Sequence, residues 1–153
     1  NLEIKNEYYN KANSIMRQMQ GNTIYKVSYM AYMNSDILSL VIRASLKEEG
    51  KPEKVSIKTY NYSISKEKTI SIEDLIDLKK TTPEIVKDEI KTVYENSKII
   101  AQEYGNLYER DLDSEMYQIE LTENYFLTDD GYVYIVYAYG NRNDTNEMDI
   151  VIF

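Results

Sequence analysis

The residue types that usually carry enzyme chemistry are scarce in this sequence. The chain has 153 residues and contains neither histidine nor cysteine. Without histidine it lacks the side chain whose ordinary pKa suits proton transfer near neutral pH, and with it the common catalytic triads and zinc sites. Without cysteine it can form no disulfide, thiol nucleophile or thiolate metal site. We therefore expect a protein that is not an enzyme and that uses no cofactor or metal.

Carboxylates are the remaining groups that could do chemistry. Asp111, Asp113 and Glu115 alternate as at the start of a calcium-binding loop. However, Met116 stands where such a loop needs glycine, and Thr122 stands where it needs a bidentate glutamate. We expect a solvated acidic loop there. Two distant carboxylates could still act as a glycosidase pair, and a Ser–Lys dyad could still form, so both enzymatic alternatives stay open.

Charge and aromatic content favour a protein-binding surface. The formal net charge is −8 and no basic stripe is evident, so the chain would repel nucleic acid and anionic membrane surfaces. The same field would attract a cationic protein or peptide, although acidity also simply keeps proteins in solution. Sixteen tyrosines, with two phenylalanines and no tryptophan, suit half-exposed strands and adhesive surfaces.

The first half of the chain predicts a helix followed by a three-strand meander. Apolar residues at spacings of three and four between Leu2 and Gln20 indicate an amphipathic helix, which Gly21 ends. Residues 23–33 and 36–46 predict a β-hairpin, because runs rich in Tyr, Val and Ile flank a tight polar turn. Residues 54–65 predict a third strand.

Alternation along the hairpin predicts one packed face. Asn34 and Ser35 form the predicted turn. Ser39 and Ser45 fall on the face that we expect to be wet, since one-sided alternation is typical of a sheet with one solvated face. The residues expected on the packed face are Tyr25, Val27 and Tyr29 in the first strand and Leu38, Leu40, Ile42 and Ala44 in the second.

The middle of the chain predicts two helices. Ser71–Asp74 has a capping-box pattern that starts a short helix through about Leu78. Thr82 as N-cap and Pro83 at the first helical position start a long helix that Gly105 ends. The residues expected in its buried stripe are Val86, Ile90, Val93, Ile100 and Tyr104.

Short strands close the chain. Residues 66–69 predict a turn, and 106–122 an irregular stretch with at most a short strand or helical turn. Residues 125–127 and 132–139 predict a hairpin, and 150–152 a last strand. The expected fold class is α+β, an antiparallel sheet made of the three-strand meander and the C-terminal hairpin, packed against two main helices. We expect one domain over residues 1–153.

Two polar loops are the predicted recognition surface. The first is Glu48–Lys51 and the second is 141–146, and loops presented by a rigid sheet often carry recognition. Nearby exposed tyrosines would add contact area. The candidate partner-binding residues are Glu48, Glu49, Lys51, Tyr139, Asn141, Arg142, Asn143 and Asp144.

Several stretches resemble a known domain family. They are Tyr25–Leu46, with its core Asp36–Ile42, then Thr59–Ile64, Ile70–Leu75 and Asn124–Gly131. In these stretches and in the order of its predicted elements, the chain is similar to the extracytoplasmic domain of RsiV-type anti-sigma factors. The same domain precedes the catalytic domain in PdaC-type peptidoglycan deacetylases.

The resemblance implies an α+β domain outside the membrane of a Gram-positive bacterium. RsiV-type members bind lysozyme, a cationic protein, which would suit the acidic balance of this chain. Two segments depart from the family. Lys47–Glu53 replaces a Gly-Gly-Ala-His-Gly-like segment, and Asn141–Glu147 replaces a Pro-Tyr-Ala-Ala-Gly-like turn. The fold and location are therefore carried over from the family, and the partner is not.

The resulting functional expectation is an extracytoplasmic binding or sensory domain of an envelope protein. Its partner would be a cationic protein such as lysozyme, or a cell-wall fragment. The alternative is an accessory domain of a wall-modifying enzyme such as a peptidoglycan deacetylase. Because the chain starts at Asn1 without an initiator methionine, we expect any membrane anchor to lie upstream.

Overall fold

The chain combines helices with antiparallel strands, so the expected α+β class is confirmed. The computed structural model describes residues 2–18, 22–104 and 107–153. The predicted helix ends at Gly21 and Gly105 lie outside these residues. The helices are α1 (Leu2–Gln18), α2 (Ile72–Leu78) and α3 (Pro83–Tyr104). The strands are β1 (Thr23–Asn34), β2 (Ile37–Glu48), β3 (Lys54–Ser63), β4 (Lys68–Thr69), β5 (Tyr125–Leu127), β6 (Val133–Ala138) and β7 (Met148–Ile152).

The strands form two antiparallel sheets. Sheet A has the order β1-β2-β3-β4, and sheet B has the order β5-β6-β7. The predicted meander is the main part of sheet A, while the C-terminal hairpin joins β7 in sheet B. Strand β4 lies where the sequence predicts only a turn, because Thr69 and Lys68 pair with Tyr62 and Ser63.

The elements stack in four layers. On one face of sheet A lies α1, where Glu7 pairs with Lys58 of β3 at 2.8 Å. On the other face lies sheet B, since Phe126 and Val136 pack against Val41 and Ile57 of sheet A. The opposite face of sheet B carries α2 and α3 and holds the larger apolar core. Its most deeply buried members include Leu75, Ile76, Val86, Ile119, Val133, Ile135 and Val151.

The face assignment in the first hairpin was wrong. Ser39 is 0% exposed and Ser45 is also buried, whereas Val27 and Tyr29 are 41% and 75% exposed. The reason is that β2 lies inside sheet A and is covered on both faces, by α1 and by sheet B. Strand β1 is an edge strand, and its predicted packed face extends beyond the cover that α1 provides.

Polar side chains of sheet A satisfy the free backbone edge of β5. The N–H of Tyr125 donates to Thr59 Oγ1 at 2.9 Å, and Asn61 Nδ2 donates to the Tyr125 carbonyl at 2.8 Å. The N–H of Leu127 donates to the Ser39 hydroxyl at 3.1 Å. Ser39 in turn donates to Asn61 Oδ1 at 2.7 Å. These three backbone groups of β5 therefore keep partners although they lie between the two sheets.

Both predicted helix caps are present. The Ser71 hydroxyl accepts from the N–H of Asp74 at 3.2 Å, and the Asp74 carboxylate accepts from the N–H of Ser71 at 3.1 Å, which completes a capping box. Thr82 Oγ1 accepts from the N–H of Ile85 at 3.4 Å at the start of α3. These local contacts explain why both helices begin where the sequence predicts.

The buried stripe of α3 is shorter than predicted. Val86, Ile90 and Tyr94 are buried, but Ile100 and Tyr104 are exposed. Sheet B covers only the first part of this 22-residue helix, so the last turns project past the core. Among the described ranges, none of the helices combines the length and apolar character needed to cross a lipid bilayer.

Candidate functional site

The two predicted recognition loops meet at one end of sheet A. Lys54, at the start of β3, lies 3.3 Å from the carboxylate of Asp144. Lys51 lies 3.0 Å from the carboxylate of Glu48. The hydrogen bond to Glu48 raises the pKa of Lys51, and the more distant Asp144 adds to the effect. Glu48, Lys51 and Asp144 are thus neighbours in space, although 93 positions separate Lys51 from Asp144.

A groove of about 860 Å³ runs from these loops along α1. One end is aromatic, with Tyr8 of α1 beside Tyr25 of β1 and the Glu7–Lys58 pair. Burial raises the pKa of Tyr8 to about 12, and the nearby carboxylate of Glu7 adds to the shift. The hydrogen bond from Lys58 to Glu7 raises the pKa of this lysine. Near neutral pH this end therefore presents neutral tyrosines and a charged pair.

The other end of the groove is polar. It is bounded by Glu48, Lys54, Asn124, Asn141 and Asp144. The ion pairs here are exposed, so each contributes little to stability and a ligand could replace them at small cost. The volume lies in the range of ordinary ligand sites. The arrangement suits a polar segment that carries both hydrogen-bonding groups and charge.

The segment 139–145 is docked on the free edge of β3. Asn141 Oδ1 accepts from the N–H of Ile57, and its Nδ2 donates to the Ile57 carbonyl, both at 2.9 Å. The N–H of Val55 donates to the Thr145 carbonyl at 3.0 Å. A Cβ at Gly140 would lie 1.9 Å from the Val55 carbonyl oxygen, so only glycine fits. The Asn141 amide therefore has a structural task and is not free for a partner.

The remaining predicted contact residues are scattered. Tyr139 is only 1% exposed, so its placement on the recognition surface is corrected. Glu49 is exposed on the turn after β2, and Arg142 is exposed with its guanidinium 3.5 Å from Glu123. Asn143 is half-buried, and its N–H donates to the Tyr139 carbonyl. Tyr139 is buried because its ring stacks on Tyr108 and its hydroxyl binds Asp149.

A buried charged network surrounds Tyr139, and sequence reasoning missed it. Asp149 of β7 accepts four hydrogen bonds: Arg110 Nε at 2.8 Å, Arg110 Nη2 at 3.1 Å, Tyr139 hydroxyl at 2.5 Å and Ser97 hydroxyl at 2.7 Å. Arg110 also reaches Glu147 at 3.2 Å. The one available signal was an aspartate directly before the apolar run 150–152.

The tyrosine and arginine side chains of this network hold their protons tightly, because each has a raised pKa. Burial raises the pKa of Tyr139, and its hydrogen bond to Asp149 raises it further. Burial also raises the pKa of Tyr117, whose hydroxyl lies 2.5 Å from that of Tyr139, to about 12. For Arg110, burial alone would lower the pKa, but the hydrogen bond and charge of Asp149 outweigh it and raise the pKa. We interpret the network as structural.

Because the side chain of Arg110 is buried, the exposed surface of the surrounding segment is strongly acidic. We call residues 107–123 the acidic segment. Its exposed carboxylates are Glu109, Asp111, Asp113, Glu115, Glu120 and Glu123. Glu120 and Glu123 pair with Lys87 and Arg142, whereas the other four form no salt bridge within the described residues. Since Arg110 is the only basic residue of the segment, no cation of its own balances this surface.

The alternating carboxylates of the acidic segment do not converge on one point among the described residues. Asp111 Oδ1 accepts from the N–H of Asp113 at 3.1 Å, a local turn contact. Across residues 2–18, 22–104 and 107–153, no three carboxylates come close enough together to hold a metal ion. The segment instead borders the groove, because Glu123 lines its polar end.

Charge is divided between the two halves of the chain. Residues 1–70 contain 11 basic and 7 acidic residues, which gives a net charge of +4. Residues 71–153 contain 7 basic and 19 acidic residues, which gives a net charge of −12. The first half forms α1 and sheet A, and the second half forms sheet B with α2, α3 and the acidic segment. The protein therefore has a strongly acidic side.

No protein-family model matches the chain, and no curated protein matches it.

Proposed function

We propose that this chain is a non-catalytic recognition domain of a Gram-positive envelope protein. It acts outside the cytoplasm and binds a cationic protein. The proposed location rests on the resemblance to the extracytoplasmic family of Tyr25–Leu46, Thr59–Ile64, Ile70–Leu75 and Asn124–Gly131. The partner class comes from the charge of the domain itself.

The single observation that carries the proposal is the uncompensated acidic segment. Four of its exposed carboxylates form no ion pair among the described residues, and its only basic side chain, Arg110, is buried. A surface of this kind accelerates encounter with a cationic protein and disfavours anionic partners. The groove beside it supplies shape, with Tyr8 and Tyr25 as apolar contact area.

The absence of catalysis is proposed on chemical grounds. The sequence has no histidine and no cysteine. The buried carboxylate of Asp149 already accepts hydrogen bonds from Arg110, Tyr139 and Ser97, so its oxygens are not open to a substrate. The groove carboxylates Glu48 and Asp144 are each held by a lysine.

The proposal is tested by the rate of association with a c-type lysozyme. We compare the unmodified domain with the triple variant Glu109→Gln/Asp113→Asn/Glu115→Gln by surface plasmon resonance at low and high salt. At low salt we expect the variant to associate more slowly, by about tenfold or more, because steering depends on net surface charge. At about 1 M salt the difference should vanish.

A charge-matched variant controls for net charge. Asp77→Asn/Asp88→Asn/Glu89→Gln removes the same charge from the exposed surfaces of α2 and α3. It should slow association far less. If the unmodified domain shows no binding at micromolar concentrations, or if both triple variants associate equally fast, the proposed role of the acidic segment is wrong.

A single substitution tests whether the partner occupies the groove. Ser56 lies on its floor, in β3, with a half-buried side chain. Ser56→Tyr would fill part of the groove and should weaken the complex without changing the association rate at low salt. Unchanged affinity would place the partner outside the groove. Cleavage of purified wall fragments by the domain would contradict the non-catalytic assignment.

A further inference from the structure

The first strand of sheet A is a long edge that nothing in the described chain protects. Strand β1 has twelve residues, and Lys26 is its only charged residue. It contains neither proline nor glycine. Proteins usually blunt such an edge with charges, proline, bulges or a covering segment. Its exposed apolar residues lie on both faces, and Ile24, Tyr29 and Met30 are 67%, 75% and 52% exposed.

The backbone of β1 points half of its hydrogen-bonding groups away from the sheet. In β3 the odd-numbered residues face away from β2, because Ile57 bonds to Asn141 and Val55 to Thr145. The unbroken register from β3 through β2 to β1 then sets the odd-numbered residues of β1 outward. These residues are Thr23, Tyr25, Val27, Tyr29, Ala31 and Met33. Within the described residues no other backbone segment pairs with them.

We propose that two copies of this chain associate through β1, antiparallel and about a two-fold axis at Ser28. The two copies of sheet A then form one continuous eight-stranded sheet. Each outward residue meets an outward residue of the other copy, so that Val27 lies opposite Tyr29 and Tyr25 opposite Ala31. The six pairs would form about twelve hydrogen bonds, which is within the usual range of about 10 ± 5 for a specific interface.

A second copy fits this edge for reasons of charge and side-chain pairing. Lys26 would lie opposite Met30, so no like charges face each other across the axis. Val27 opposite Tyr29 is an aromatic–β-branched pair, and symmetry repeats it. The edge belongs to residues 1–70, whose net charge is only +4. The strongly acidic second half of the chain forms sheet B and the helices α2 and α3. Repulsion between two molecules of charge −8 is therefore smallest on this side.

The chain's lack of cysteine makes the register directly testable. In the proposed pairing Ser28 faces its own copy as a non-hydrogen-bonded pair, with a Cα–Cα distance of about 4.5 Å, which a disulfide can bridge. Ser28→Cys should therefore oxidise to a covalent dimer. Its rate of cross-linking should exceed that of Asn96→Cys, on the exposed surface of α3, by on the order of tenfold or more. In analytical ultracentrifugation, the average mass of the unmodified chain should rise toward that of a dimer as its concentration increases.

A backbone variant separates this edge from other contacts. Val27→Pro removes one outward N–H and leaves the β1–β2 ladder intact, since the Val27 N–H points away from β2. We expect this variant to be folded and monomeric, while Val27→Thr, which keeps the N–H, still associates. The proposal fails if the unmodified chain stays monomeric at high concentration. It fails in the same way if the edge of β1 pairs only with a strand of another protein. It also fails if Val27→Pro associates as before, or if Ser28→Cys cross-links no faster than Asn96→Cys.

Discussion

Arg110 and Asp149 form a two-point ion pair inside the protein, with Nε–Oδ2 and Nη2–Oδ1 distances of 2.8 and 3.1 Å. Both side chains are almost fully buried. The guanidinium also lies over the ring of Tyr139, with its carbon 4.9 Å from the ring centre. The pair joins the irregular acidic segment to β7, so it determines both the packing of that segment and its outward charge.

Removal of the arginine should destabilise the fold strongly. Arg110→Met leaves the Asp149 carboxylate buried without its main partner, and breaking such a pair costs about 3–5 kcal/mol. Urea denaturation followed by circular dichroism measures the change. As a control, Arg142→Met removes an exposed pair with Glu123 and should change the free energy of unfolding by about 1 kcal/mol or less. Equal effects of the two substitutions would contradict the structural role of the network.

Alkaline pH should destabilise the protein through its buried tyrosines. The folded state raises the pKa of Tyr117 to about 12, above the value of about 10 in an unfolded chain. The folded state therefore binds this proton more tightly. Its contribution to stability is complete below about pH 10 and is lost as the pH rises through the folded pKa.

Tyr117→Phe tests this dependence. At neutral pH it loses the hydrogen bond to Tyr139, at a cost of about 1 kcal/mol. Between about pH 10 and pH 12 its urea midpoint should fall less steeply than that of the unmodified protein. The control Tyr104→Phe changes an exposed tyrosine and should keep the original slope. An identical slope for Tyr117→Phe would show that this hydroxyl is not linked to folding.

Local signals were sufficient for most of the secondary structure. The capping box at Ser71, the cap at Thr82 and the turn between β1 and β2 were predicted because their determinants lie within a few residues. The number of sheets could not be predicted in this way. Strand β5 reaches sheet A through Ser39, which lies 88 positions before Leu127, and alternation alone places a serine on the wet face.

The candidate site was predicted only in part, because local sequence patterns identify loops but do not show which distant residues pack together. The two loops were recognised by their polar composition, and they lie at the same end of sheet A, where Glu48 and Asp144 border one groove. Their binding role remains a prediction. Tyr139 was misplaced because its burial depends on Arg110 and Asp149, two charged residues that hydrophobic patterns assign to the surface.

Docking of the segment 139–145 on β3 should depend on one amide. Asn141→Ala removes both hydrogen bonds to the Ile57 backbone and leaves its N–H and carbonyl without that partner, at a cost of about 1–3 kcal/mol. Asn143→Ala is the matched control and should cost about 0.5 kcal/mol or less. Hydrogen exchange at the Ile57 amide should accelerate in Asn141→Ala only. If both variants exchange alike, this amide does not hold the edge.

The contact between the two sheets should depend on the Ser39 hydroxyl. Its oxygen accepts from the N–H of Leu127 and its hydrogen is donated to Asn61, all in a fully buried setting. Ser39→Ala would leave the N–H of Leu127 without its partner at a fully buried position. The expected loss is about 1–3 kcal/mol.

Tyr104→Phe at the exposed end of α3 is the control for Ser39→Ala. It removes a hydroxyl from a solvated position and should change the free energy of unfolding by about 0.5 kcal/mol or less. The free energy of each variant is measured by urea denaturation. Ser39→Thr should also be destabilised, although it keeps the hydroxyl, because a closely packed interface has no room for the extra methyl group. If Ser39→Ala were as stable as the unmodified protein, the polar contacts between the sheets would contribute nothing, and apolar packing around Val41 and Phe126 alone would hold them together.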